Sequence, residues 1–538
     1  MMNQSDPNDK TTTQQDNSSG EKSNLINIIK PPLMALKQAV FPIYMKEMPK
    51  FIPMALLNFL TLFSFTMLRN TKDSLVLLAP NMTSLGLTYA KLGLVLPASI
   101  LFSIIYIKIR NNLGFQRTYH VVMTFFVMFF LIFNYILYPL ADYIHPDPEV
   151  IHNLQLSLPA ISNFFGLAGV WSFSLYYVMS ELWGTYTLSV LFWQFANENI
   201  DTTESKRFYP TFILIGNISL IFLSYVLKYV SDHYTGGAEI NFINNTIFLC
   251  GVSMMLLFQY TNRYILSQEQ YQPKTKIKKK KKQKLSLGDS MKVLFKSEYI
   301  LYIAVIVLSY GIMINIFEVV WKDQLRLAVT NRNEFLEFMG LYTKYTGIST
   351  IALIYVSMYV IRKMGWLVGA IITPIMATVT CVIFFLYCLM ADTIDPVLTT
   401  MGAGAMFSVM FGAAGVVMTK SSKYAFFDPT KEMSFIPLSD DLKASGKAAV
   451  DGVGARLGKS GGGLIQIFIA FIISSLTGEI VNAIDMIQYT IFIIILMGGA
   501  WVYSVIKLNR LYQAALLAAQ EPNDEPNQEK SAAAPASS

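Results

Sequence analysis

The residues able to do chemistry in this chain are charged side chains placed where charge is expensive. Arg69, Lys72 and Asp73 close one long apolar stretch, and Lys91 opens the next. Glu181 lies inside SFSLYYVMSELWGTYTLSVLFW. Glu318 and Lys322 stand four apart in YGIMINIFEVVWKDQL, hence on one helix face. Lys344 is enclosed in MGLYTKYTGIST, and Lys420 and Lys423 follow a further apolar run. An ionised side chain at mid-bilayer costs roughly 2.5–3.5 kcal/mol even on the lenient insertion scale. Such groups therefore line a water-filled path or pair with one another. Their cationic members suit an anion, and phosphate in particular is met by lysine and arginine. Trp183, Tyr186, Trp193, Tyr342 and Tyr345 stand nearby and offer stacking surface for a base. Asn217 and Asn315 are further polar candidates for the same path. The competing role for each charge is an interhelical ion pair or a side chain reaching the interface. For each aromatic it is plain helix packing or an interfacial belt.

The elements that must hold these residues are membrane helices. The chain has 538 residues, 53% hydrophobic and 14% charged, with a mean hydropathy of +0.44. A soluble domain carries about 25% charged residues. Apolar runs long enough to cross a bilayer core of about 30 Å recur along the chain, which predicts an all-α polytopic membrane protein of about 12 spans. They fall at roughly 51–69, 91–109, 118–139, 167–197, 208–229, 241–262, 299–321, 337–361, 366–390, 397–419, 460–477 and 484–506.

Lys and Arg concentrate in alternate connections: Lys108, Arg110 and Arg117; Lys206 and Arg207; TKIKKKKKQK (275–284); Arg362 and Lys363; and the stretch from Lys420 to Lys459. The other connections hold the acidic ADYIHPDPE (141–149) and ADTIDP (391–396). By the positive-inside rule both termini are expected in the cytoplasm. The basic run divides the chain into a segment 1–50, a half 51–262, a linker 263–298, a half 299–510 and a polar tail 511–538 expected to be disordered. A weak internal repeat supports two six-span halves. Thr71-Lys72-Asp73-Ser74-Leu75 is echoed by Trp321-Lys322-Asp323-Gln324-Leu325, and KIRNNLGFQR by VIRKMGW. Two such halves around a central site is an architecture of secondary transporters.

Other chemistries find little support. Cys250, Cys381 and Cys388 all lie in apolar runs and suggest neither a disulfide framework nor a metal site, and the four histidines are scattered. No short apolar h-region marks a cleaved signal peptide near the start. The segment GVGARLGKSGGG (452–463) fails as a P-loop, because the glycine needed five positions before Gly458 is Val453. The basic linker lacks the aromatic or folded module that would make it a nucleic-acid site. The expectation is a carrier without cofactor, not an enzyme, in contact with lipid and not with nucleic acid.

Four segments carry a more specific signal: LRNTKDSLVLLAP (68–80), ELWGTYTLSVLFWQFANENIDTTESKRFYPTF (181–212), YGIMINIFEVVWKDQL (310–325) and KYAFFDPTKEMSFIPLSDDLKASGKAAVDGVGARLGKSGGGLIQ (423–466). Through them the chain resembles, over roughly 35–515, the ATP/ADP translocase family of nucleotide transporters of intracellular bacteria and plastids, of the chlamydia-like or rickettsial type. The resemblance implies a major-facilitator-like fold in a bacterial inner membrane. It implies a nucleotide substrate, an NTP exchanged for an NDP. It also implies transport roles for Lys72 of the TKD motif, Glu181 of ELWG, Glu318 before the Trp-Lys pair, and Lys447 of GKAAVD.

The departures bear on substrate. Ser64-Phe65 stands where ATP/ADP exchangers of this family usually have Asn-Tyr, Leu92-Gly93 where they have aromatics, Gly415-Val416 where they have Gln-Asn, and Lys344 where an aromatic is common. All four changes are expected to face the central cavity and to alter base or phosphate recognition. The family's other branches keep GTP, UTP, CTP, NAD and proton coupling open as alternatives. A membrane receptor or scaffold that has lost transport is the contrasting class. A monomer is the default.

Overall fold

The computed structural model describes residues 43–272, 297–329, 331–391, 393–394 and 406–518. The N-terminal segment up to residue 42, most of the basic linker, the start of the expected tenth span and the tail from residue 519 lie outside the described residues. Among the described residues every regular element is helical. Among the described residues eight helical segments are long and apolar enough to cross a membrane, and the shorter helices Trp171–Trp183 and Met406–Ser422 add to them. The helices that build the bundle are α1 (Met48–Leu77), α2 (Gly86–Leu137), α3 (Trp171–Trp183), α4 (Thr202–His233), α5 (Ala238–Tyr260), α6 (Glu298–Ala328), α7 (Arg332–Leu389), α8 (Met406–Ser422), α9 (Ala455–Thr477) and α10 (Ile487–Ala518).

Two of these, α2 and α7, are too long to run straight through a bilayer, and each folds back at a glycine. Gly114 has φ 74° and ψ 170°, and Gly365 has φ 85° and ψ 179°. Only glycine adopts that conformation without strain. These are the glycines of the two short basic connections read from the sequence, so α2 and α7 each contain two of the expected spans.

The buried apolar residues form two clusters. One is built from residues 51–266 and adds Leu336. The other is built mostly from residues 299–512 but takes in Val76, Leu77, Leu85, Tyr89 and Tyr177 from the first half of the chain. Glycines let the helices of the second cluster approach closely. A Cβ at Gly311 of α6 would lie 2.6 Å from the carbonyl carbon of Gly458, and one at Gly462 of α9 would lie 2.9 Å from the carbonyl oxygen of Ile312. Trp321 donates its indole N–H to the Val409 carbonyl at 3.0 Å, tying α6 to α8.

Polar contacts between the two halves of the chain gather toward one end of the bundle. Lys228 reaches Glu337 at 2.9 Å, Arg332 reaches Glu239 at 3.2 Å and donates to the Tyr138 hydroxyl at 2.7 Å, and Asn333 donates to the carbonyls of Ser231 and Tyr234. At this end, where α1 and α6 finish, the two halves are tied together. At the opposite end each ion pair stays on its own side: Lys50–Glu204, Arg207–Glu47 and Arg110–Glu198 in the first half, and Lys423–Asp428, Lys431–Asp451 and Lys447–Glu432 in the second. Among the described residues no ion pair joins the two halves there.

Gly311→Val is expected to force α6 and α9 apart. Overpacking of this kind costs about 1–3 kcal/mol or more, so a fall in the thermal unfolding midpoint of the detergent-solubilised protein is the readout. An unchanged midpoint would mean that the close approach contributes nothing to stability.

Candidate functional site

Most of the charged residues picked out by burial cost converge between α1, α3, α6 and α8; Lys423 pairs with Asp428 instead. Residues 69 and 73 are four apart on α1, and 318 and 322 are four apart on α6, so each pair lies on one helix face. The two faces meet with inverted polarity. Asp73 Oδ2 accepts from Lys322 Nζ at 2.6 Å, and Arg69 Nη2 donates to Glu318 Oε1 at 3.3 Å. Each pair is extended by a third helix. Lys72 donates to Asp73 Oδ1 at 2.6 Å and lies 3.0 Å from Glu181 Oε1 on α3. Lys420 at the end of α8 pairs with the same Glu318 oxygen as Arg69.

Burial makes these contacts matter. The side chains of Lys72, Asp73 and Lys322 are 2%, 1% and 4% exposed. A buried ion without its partner is strongly unfavourable, about 3–5 kcal/mol for breaking such a pair. Glu181 at 29% and Arg69 at 35% stay open to solvent, so the network has a buried centre and a wet margin. Tyr177 lies one helical turn before Glu181 on α3, and its ring centroid is 3.7 Å from Lys72 Nζ. Lys420 is 5.4 Å from the Tyr342 ring. These cation–π contacts add to the carboxylate pairs.

Lys91 completes the group. It sits in a π-helical turn, Ala90–Val95, and lies within electrostatic range of Lys322, Glu318, Lys72 and Glu181. Such widened turns recur at functional sites because they re-aim side chains. A second follows Glu181 (Gly184–Phe192) and a third begins at Lys423 (Lys423–Phe427). Five cations (Arg69, Lys72, Lys91, Lys322 and Lys420) thus stand among three carboxylates (Asp73, Glu181 and Glu318). Such a surplus favours an anionic guest.

Other expected site residues fall elsewhere. Lys344 is not in the network; its Nζ lies 4.8 Å from the ring of Tyr225 on α4, an exposed residue. Lys447 pairs with Glu432 toward the end where no ion pair among the described residues joins the halves, the open end of the bundle in this sense. Asn217 donates to the carbonyl of Ile213 one turn back, and its own carbonyl borders Gly347 of α7. Asn315 donates to the Gly311 carbonyl and packs by Gly462. Trp183 is fully buried, between Phe126 and Phe130, with its indole N–H on Ser64 Oγ at 3.3 Å. Tyr186 shares a hydrogen bond with Ser103 and packs on Phe102 and Tyr106. Both aromatics are packing residues rather than exposed stacking surfaces.

Apart from Leu92, which packs against Gly463 of α9, the expected cavity-facing substitutions need the same correction. Ser64 is fully buried under Trp183, Phe65 packs on Gly184, Gly93 packs on Phe164, and Gly415 packs on Phe317 beside the buried Val416. Close helix packing fills these positions, and they present no polar edge to a ligand. Tyr177 was not singled out from the sequence. Its only signal was its place four residues before Glu181.

A polytopic all-helical bundle with a charged network bridging its two halves defines a multi-pass membrane transporter. The family described as TLC ATP/ADP transporter matches residues 27–512, and the chain belongs to that family. It is 37% identical over 502 residues to "ADP,ATP carrier protein 3" of Rickettsia felis, covering 89% of this chain and 97% of the relative. It is 36% identical over 505 residues to "ADP,ATP carrier protein 1" of Chlamydia muridarum, covering 91% and 93%. Among solved structures, a bacterial homologue of the iron transporter ferroportin in an inward-facing state has the same kind of fold, with a TM-score of 0.51 at 13% identity over 87% of this chain and 98% of that one.

Asp73→Asn is expected to leave Lys72 and Lys322 without their shared carboxylate and to destabilise the protein by about 3–5 kcal/mol. Adding Lys322→Gln should recover some of that loss. A double variant no more stable than the single one, by thermal unfolding, would show that Asp73 and Lys322 are not coupled.

Proposed function

We propose that this protein is a secondary carrier that exchanges nucleoside phosphates, ATP against ADP, across a bacterial inner membrane by alternating access. The observation that carries this reading is the cation-rich network that braces α1 against α6. A polyphosphate brought to it offers anionic oxygens that compete with Asp73, Glu181 and Glu318 for the same lysines and arginines.

The brace explains exchange. In the empty carrier Asp73–Lys322 and Arg69–Glu318 hold the closed end, and separating them would strand buried ions. A bound nucleotide supplies replacement anions, so the halves separate and the other end closes. A carrier that reorients readily only when loaded exchanges one nucleotide for another. Conformational change then follows from differential binding to the two states.

Supporting the orientation, the open end carries Lys108, Arg110, Arg117, Lys206, Arg207, Arg362 and Lys363. By the positive-inside rule that end is cytoplasmic, with both termini, and the tied end is periplasmic. The halves are 51–262 and 299–510, and the protein acts as a monomer.

Lys72→Ala is expected to abolish uptake of labelled ATP into cells expressing the protein, with membrane insertion retained; uptake at the wild-type rate would remove Lys72 from the mechanism. Lys344→Phe, by contrast, is expected to leave the ranking of competing nucleotides unchanged, because Lys344 lies against Tyr225 rather than in the network. A reordered ranking in the competition panel would return Lys344 to the substrate path.

A further inference from the structure

The α9 helix carries a stripe at i, i+3, i+7 and i+10: Arg456, Lys459, Gly463 and Gln466. That spacing puts all four on one face. The last two fix its direction. A Cβ at Gly463 would lie 3.0 Å from both Leu92 Cδ1 and Thr88 Cγ2. The fully buried Gln466 meets Thr88 at 3.3 Å, Oγ1 to Oε1. Thr88 and Leu92 flank Lys91, so the stripe faces the N-terminal helices across the midline of the molecule.

Along this face toward the start of α9 the contact ends. Lys459 and Arg456 are exposed. Yet Lys459 lies within electrostatic range of Lys423, Glu181, Arg69 and Glu318, and Arg456 within range of Tyr186. A solvent-accessible cation with groups from both halves of the chain around it stands in a wet cleft, not against lipid. Among the described residues neither Arg456 nor Lys459 has an ion-pair partner. Their positions are held by main chain, since the Gly311 contact lies against Gly458 and the Lys459 amide nitrogen, 3.0 Å from a Cβ at 311.

We propose that Arg456 and Lys459 form an entry station for the terminal phosphates of a nucleoside di- or triphosphate arriving through the open end, before the phosphates reach Lys72 and Lys322. This rests on the carrier reading given above. Arg69, Lys72, Lys322 and Lys420 are each committed to a carboxylate, so a phosphate must displace that carboxylate to reach them. Arg456 and Lys459 demand no such exchange. A guanidinium and an ammonium one helical turn apart, about 5–6 Å at their Cβ atoms, also span adjacent phosphates. Binding there therefore selects for phosphate number rather than for the base.

The test uses the full chain reconstituted in liposomes, with the KM for labelled ATP measured separately at each face. The double variant R456Q/K459Q is expected to raise KM at least tenfold at the open-end face and less than threefold at the other. The charge-keeping R456K/K459R should hold KM near wild type. If wild type moves ATP and R456Q/K459Q keeps both KM values, the entry station is overturned. Should the double variant fail to insert, K459Q alone decides: a wild-type KM at the open-end face also overturns it. Wild-type protein that moves no nucleotide at all overturns instead the carrier reading on which the station rests.

Discussion

The structure depends on charge compensation between two helices that sit in a medium hostile to charge. Asp73 lies at the centre, fully enclosed, serving Lys72 on its own helix and Lys322 on α6. Glu318 does the same a turn away, serving Arg69 and Lys420. Every one of these ions is tolerable only because a partner is present, and two of the pairs, Asp73–Lys322 and Arg69–Glu318, join opposite halves of the chain. Bringing the halves together and neutralising the charges are therefore one event.

Packing gives that event its shape. Glycines at 311, 458 and 462 let α6 and α9 touch along their backbones, so α6 and α9 pack as one block. Trp183, enclosed by Phe126 and Phe130, makes α2 and α3 a similar block. Among the described residues the ion pairs between the halves run from the charged network toward one end of the bundle. Tightly packed blocks joined by a few polar contacts have two discrete arrangements rather than a continuum, which is the mechanical condition for alternating access.

The cost of an ion in lipid is legible without coordinates. That is why Arg69, Lys72, Asp73, Glu181, Glu318, Lys322 and Lys420 stood out in the sequence and were found together. The hairpin glycines were legible too, because short basic connections containing glycine recurred in both halves. Rotation about the helix axis was not legible. A membrane helix is apolar nearly all round, so sequence gives the height of a residue but not its azimuth. Lys344 has the right height and faces Tyr225; Ser64 and Trp183 have the right height and face each other. Lys459 was hidden for a different reason. It lies in a glycine-rich stretch, GVGARLGKSGGG, whose glycines break the apolar pattern and mask the helical stripe that runs through the same residues.

The inverted polarity of the α1 and α6 faces has an electrical consequence. Each rung, Asp73–Lys322 and Arg69–Glu318, contains one positive and one negative group. Sliding such a rung through the bilayer transports no net charge, and a voltage does work only on net charge, about 2.3 kcal/mol per elementary charge per 100 mV. The rungs are thus nearly blind to the membrane potential. Voltage acts instead on net charge, that of the surplus cations among the rungs and of any anion they hold, and it does so without loosening the frame.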